Sequence, residues 1–121
     1  MSNVKLSHGN SGMVHVYYNS AWETVCDDGF GQEEAAVICR QLNGKNAVSW
    51  DGETDEFNNA ITMPAEFANG NIGQTNRPLF DNLACSGTET SLFDCPRRGA
   101  NNVYFDHDCA DHENAWVVCE P

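Results

Sequence analysis

The sequence predicts an α+β domain: a small antiparallel sheet, one main helix, long loops and three disulfides. Three observations carry that reading. Short stretches alternate apolar and polar residues near the start and at the end of the chain, as strands do. One stretch, Gly31 to Asn43, instead repeats its apolar residues at helical spacing. Six cysteines, an even number in 121 residues, fall at 26, 39, 85, 95, 109 and 119 with no Cys-x-x-Cys pair. That spacing favours disulfides in an oxidising compartment over a zinc site. The length suits one domain, residues 1–121, and neither a repeat nor a linker divides it.

In order along the chain, "MVHVYY" (13–18) places Val14, Val16 and Tyr18 on one face of a strand and His15 and Tyr17 on the other. "NSAW" (19–22) supplies a turn, and "WETVC" reads as the returning strand of a hairpin. In "GQEEAAVICRQLN", Ala35, Ile38, Cys39 and Leu42 share a helical face, with Glu33 and Glu34 largely elsewhere. Acids near the start and Arg40 near the end suit the helix dipole, and Asn43-Gly44 is a stop signal. From about 45 to 77 the pattern dissolves into a polar, turn-rich loop or insertion, with a short helical piece around Pro64 to Ala68. "PLFDNLAC" (78–85) reads as a strand. "TETSLFDC" (88–95) reads as a short helix with a Ser/Thr cap, and "AWVVCE" (115–120) as a closing strand.

Eighteen acids against six basic residues give a net charge of −12. Nucleic acid as a primary target is therefore excluded as an expectation, because a basic patch is missing. No stretch is apolar enough to span a bilayer, and the opening residues show no secretory signal. With disulfides expected, this implies that the native protein is longer at its N-terminus.

Four blocks fix a resemblance. "GMVHVYYNSAWETVCDDGF", "AAVICRQLNG", "LFDNLACSGTETSLFDCP" and "HDCADHENAWVVC" resemble, in order, the blocks of a scavenger receptor cysteine-rich domain of the six-cysteine group A type. Only residues of about 45–77 lack a counterpart. The resemblance implies a curved antiparallel sheet cradling one helix and the pairings Cys26–Cys109, Cys39–Cys119 and Cys85–Cys95. Spacing alone permits fifteen connectivities.

It also implies a role for the adjacent acids of "TVCDDGF", which on their own read as a solvated turn, a catalytic pair or half of a metal site. Similar domains hold Ca²⁺ with the aspartates after this cysteine and with the glutamate of the last block, here Asp27, Asp28 and Glu113. A second site in some relatives uses the acidic pair before the Cys-Ser-Gly block. Here that pair is Asp81 and Asn82, the Asn replacing a usual Asp. Asp108 and Asp111 add charge where relatives have Asn and His. If Cys26 meets Cys109, these acids converge. Oxygen donors alone suit a hard cation, Ca²⁺ before Mg²⁺. The rival reading is a solvated acidic rim.

Acid/base catalysis is disfavoured because Asp27 and Asp28 are neighbours that point apart and no substrate groove is signalled. Zinc at His107, Cys109 and His112 fails if Cys109 is bridged. No Gly-x-Ser-x-Gly, HExxH or phosphate-cradling glycine loop is present. Arg97 and Arg98 are the one paired basic spot, and Trp50, beside "DGETDE", is either an exposed contact or a loop anchor. Trp22 reads as core, and Trp116 stands where relatives have a small residue, so local repacking is expected there. The expected function is an extracellular, non-catalytic module, secreted or part of an ectodomain. It would recognise a protein, glycan or polyanionic microbial ligand through a Ca²⁺-dependent acidic surface. The alternative is a structural or accessory module of a larger secreted enzyme or receptor.

Overall fold

A computed structural model describes residues 3–27, 29–52, 54, 56–59, 61, 63–67, 78–96 and 114–121. Six strands and one α-helix organise them: β1 (Val4–Leu6), β2 (Ser11–Tyr18), β3 (Ala21–Val25), α1 (Gln32–Asn43), β4 (Ala47–Trp50), β5 (Pro78–Phe80) and β6 (Trp116–Cys119). The sheet order is β4-β6-β2-β3-β5, with β1 also paired to β2. All pairings are antiparallel except β3 with β5, which is parallel.

The β2–β3 hairpin closes through Asn19 and Ser20, with φ of 52° and 69°. Two consecutive positive φ angles match the twist of paired strands, and Asn tolerates them better than most residues. The hairpin registers His15 against Thr24 and Val16 against Glu23. One face therefore carries Val14, Val16 and Val25 toward the helix. With Val4, Leu6, Ala35, Val37, Ile38, Leu79, Phe80, Leu83, Leu92 and Val117 they form the main core. Cys39 on the helix is bridged to Cys119 on β6, with Cα atoms 5.6 Å apart. Cys85 is bridged to Cys95. In the chain-entropy picture, loops of 80 and 10 residues correspond to about 4.5 and 2.7 kcal/mol of stabilisation. Cys26 is also disulfide-bonded; Cys109, its expected partner, lies outside the described residues.

The helix departs from expectation in one respect. Glu34 is buried rather than solvated. Its carboxylate accepts the backbone N–H of Gly31 at 2.8 Å and of Cys85 at 2.7 Å. One oxygen thus closes the helix N-terminus, and the other ties it to the Cys85–Cys95 loop. Burial raises its pKa above the usual carboxylate value, while these N–H donors oppose the rise. Gly44, at φ 75°, ends the helix by returning its N–H to the Arg40 carbonyl at 3.0 Å.

Residues 45–77 contain more structure than their polarity suggests. Ala47–Trp50 is a strand paired to β6, and Ala65–Phe67 is a single 3-10 turn. Phe67 then reaches the outer face of the sheet, opposite the helix. Its ring lies 6.3 Å from that of Trp116 and 5.2 Å from that of His8. Met13 and Trp116, cross-strand partners on that face, are buried with it. The sheet therefore has a second, smaller apolar layer on its outer side, and Trp116 is repacked by a residue of the insertion. The strand expected over 78–85 is confined to Pro78–Phe80, and the short helix to Leu92–Asp94, capped by the Ser91 hydroxyl accepting the Phe93 N–H at 3.2 Å.

Candidate functional site

β3 ends at Val25, and the chain turns immediately after Cys26. The Phe30 N–H returns to the Asp27 carbonyl at 3.1 Å, closing a turn that begins at Asp27. Three other segments are laced to it. Cys26 N–H donates to the Phe80 carbonyl at 3.0 Å, and Ala115 N–H to the Val25 carbonyl at 2.8 Å. Cys26 and Asn114 form a β-bridge. At Gly29 a side-chain Cβ would stand 3.5 Å from the Asn82 Cα. The third segment comes from the insertion: Asp51 N–H donates to the Trp116 carbonyl at 3.0 Å. At Gly52, φ is 95° and a Cβ would meet the Phe30 carbonyl oxygen at 2.4 Å.

Backbone pairing thus brings Asp27, the Asp81–Asn82 segment, Asn114 and Asp51 to one end of the sheet. Asp81 is 1% exposed. Asp27 is half-buried. Asp51 shows the electrostatic consequence. Burial first, and the neighbouring Asp27 charge second, push its pKa from 3.8 up to about 7, against a partial offset from the Gly52 N–H. Negative charge is crowded here, and every polar side-chain atom offered by Asp27, Asp51 and Asp81 is oxygen. Such a donor set fits a hard divalent cation. Asp28, Asp108, Asp111 and Glu113 lie outside the described residues, as do Arg97, Arg98, His107, Cys109 and His112.

Asp51 was not a sequence candidate. It became one only because β4 pairs with β6, which delivers the residue after Trp50 to the Asp27 turn. The turn signal Asp51-Gly52 directly after Ala47–Trp50 was the available hint. Trp50 itself is half-buried and packs against the main core. Cys85, Glu89 and Cys95 also approach one another, but the two sulfurs are bonded and the Glu89 carboxylate is taken by the Ser86 and Gly87 N–H groups.

The curled sheet and its single helix agree with comparisons to known proteins. Residues 4–120 match the scavenger receptor cysteine-rich domain. The chain belongs to that family. A scavenger receptor cysteine-rich domain superfamily protein of Patiria pectinifera is 40% identical over 108 residues, 89% of this chain and 8% of that protein. Lysyl oxidase homolog 3A of Danio rerio is 34% identical across 92% of this chain and 12% of its own length. The macrophage receptor MARCO of Mus musculus is 34% identical across 91% and 17%. The chain therefore spans less than a fifth of these relatives. Among solved structures, the dimeric form of the mouse MARCO domain superposes with a TM-score of 0.60 at 32% identity, covering 92% of this chain and 87% of that one. The third such domain of murine neurotrypsin gives 0.63 at 28%, covering 98% and 96%. The fold is thus that of a module carried by receptors and by lysyl oxidase homologues, in a recognition or accessory role. No helix among the described residues is long and apolar enough to cross a membrane.

Proposed function

We propose that this domain is an extracellular, non-catalytic recognition module whose ligand surface is organised by a bound Ca²⁺ at the Asp27 turn. Asp27, Asp28 and Glu113 would hold the ion, with Asp81, Asp108 and Asp111 as further oxygen donors. The observation that carries the reading is the Cys26–Asn114 bridge. It joins the chain immediately before the Asp27-Asp28 pair to the chain immediately after Glu113. The raised pKa of Asp51 supports it, since burial and the neighbouring Asp27 charge, which oppose ionisation of its carboxyl, would be offset by an added cation. Bound Ca²⁺ supplies positive charge and open coordination positions for carboxylate, sulfate or phosphate oxygens of a protein, glycan or microbial polyanion. The protein's own residues hold the ion and exclude the repulsion that a −12 chain would otherwise present.

Calcium titration by calorimetry, with melting followed in parallel, tests this. Ca²⁺ is expected to release or absorb measurable heat and raise the melting temperature. Saturation at a hundredfold excess over Kd corresponds to about 2.7 kcal/mol. EDTA and Asp28→Ala should each abolish the response. Absence of heat and of a thermal shift in the unmodified chain defeats the cation reading. It would favour an accessory module without a ligand of its own, the role suggested by the lysyl oxidase homologues.

A further inference from the structure

β4 runs directly into an Asp-Gly bond, Asp51-Gly52, whose two reactive groups the fold holds together. The Gly52 N–H donates to the carboxylate of the preceding Asp51. Only one C–O bond separates the accepting oxygen from the carboxyl carbon. The contact therefore draws that carbon and the Gly52 nitrogen toward the separation of about 3–3.5 Å from which bonds form. Glycine has no Cβ to shield the nitrogen. Gly52 is exposed and Asp51 half-buried, so water reaches the bond. The Asp51 N–H is tied to the Trp116 carbonyl at 3.0 Å, which fixes the residue from behind.

Asn43-Gly44 is the comparison within the same chain. By residue chemistry alone it is the more labile bond, because an amide carbon sheds ammonia more readily than a carboxylate sheds water. The fold protects it. Asn43 is the last residue of α1, and the Gly44 N–H is donated back to the Arg40 carbonyl at 3.0 Å, away from the Asn43 side chain. That side chain is itself engaged. Its Oδ1 accepts the Lys45 N–H at 3.0 Å, and its Nδ2 donates to the Glu120 carbonyl at 3.5 Å. Asp28-Gly29 and Asn69-Gly70 include residues outside the described ones.

We propose that Asp51-Gly52 is a site of spontaneous isoaspartate formation in the folded domain, and that folding inverts the order of lability of positions 51 and 43. The Gly52 nitrogen gives up its proton and bonds to Asp51 Cγ. A carboxyl oxygen leaves as water, and a five-membered succinimide ring remains. Water then opens the ring. Breaking the new N–Cγ bond restores aspartate; breaking the original peptide bond leaves the chain running through Cγ. No oxidant, enzyme or cofactor is needed, and the product has the mass of the starting chain. It carries one extra methylene in the main chain, between two fixed points. One is the Asp51–Trp116 hydrogen bond. The other is Gly52, where a Cβ would stand 2.4 Å from the Phe30 carbonyl oxygen. The seam has no slack for the added length, so the modified fraction is less stable. None of this requires a cation at the Asp27 turn.

The test is prolonged incubation of the unmodified protein in heavy-oxygen water with EDTA, at neutral pH and body temperature. A second sample is incubated reduced and unfolded in urea. Peptide mapping with electron-transfer fragmentation separates isoaspartate from aspartate at 51 and reads deamidation of Asn43 as a mass gain. In the folded protein, isoaspartate and heavy oxygen at 51 are expected to exceed deamidation at 43. In the unfolded sample the order should invert. Asp51→Glu would need a six-membered ring and should abolish the signal at 51 while leaving Asn43 unchanged; a melting curve confirms that the variant is folded. Chromatographically separated isoaspartate material should melt below fresh protein. No heavy oxygen at 51 in the folded protein overturns the proposal, as does Asn43 leading in both samples. Equal melting of the aged and fresh forms overturns the tight seam.

Discussion

Replacing Gly52 by Ala perturbs the seam between the insertion and the Asp27 turn with a single methyl group. Two costs add. Alanine at positive φ is strained by about 1–2 kcal/mol. The new Cβ would also stand 2.4 Å from the Phe30 carbonyl oxygen. That atom is backbone, so no side chain can swing away, and either the 27–30 turn or the 51–52 turn must move. Such forced shifts cost about 1–3 kcal/mol. Gly44 supplies the control: its φ is 75°, and nothing lies within 4 Å of its would-be Cβ. Gly44→Ala should therefore lose only the strain, about 1–2 kcal/mol, and Gly52→Ala about 2–5 kcal/mol. Urea unfolding followed by tryptophan fluorescence measures both by linear extrapolation. If the two variants agree within about 0.5 kcal/mol, the close approach at Gly52 does not constrain the domain and the seam is looser than described.

Two further expectations concern the same region. Phe67→Ala empties the outer layer against Trp116 and should cost about 3–5 kcal/mol in urea unfolding; a loss under about 1 kcal/mol would show that Phe67 is not a packing residue. Asp51→Asn should alter the pH dependence of stability in EDTA. The folded pKa of about 7 exceeds the ordinary 3.8, so the folded chain holds a proton that the unfolded chain releases first. The ionisation penalty on the native state therefore grows as pH rises from about 4 to 7 and is constant above. The Asn variant should gain on the unmodified chain across that window. Parallel stability curves from pH 4 to 8 would show that Asp51 is not held above its ordinary pKa.

The hairpin was legible because two local signals agreed: alternation in residues 13–18, and an Asn-Ser turn able to take positive φ. The helix was legible from period and ends, though Glu34 was misplaced. A carboxylate at the third helical position can turn back to its own N-terminus, and the Cys85 N–H that holds its second oxygen is 51 residues away. β1 is three residues and β4 four, too short for a period to emerge. Phe67 sits in a polar stretch where nothing marks its destination. Asp27, Asp28, Glu113 and Asp81 came from matching family blocks, whereas Asp51 depends on a strand pairing that no local pattern encodes. The parallel β3–β5 contact escaped for the same reason.

The outer layer couples two distant stretches of sequence. An indole at position 116 is tolerable only while an aromatic ring from the excursion shields it. Grafting a short connector in place of that excursion would leave a large greasy spot facing water, an invitation to self-association. Loop and strand are therefore a matched pair, exchangeable between homologues only together.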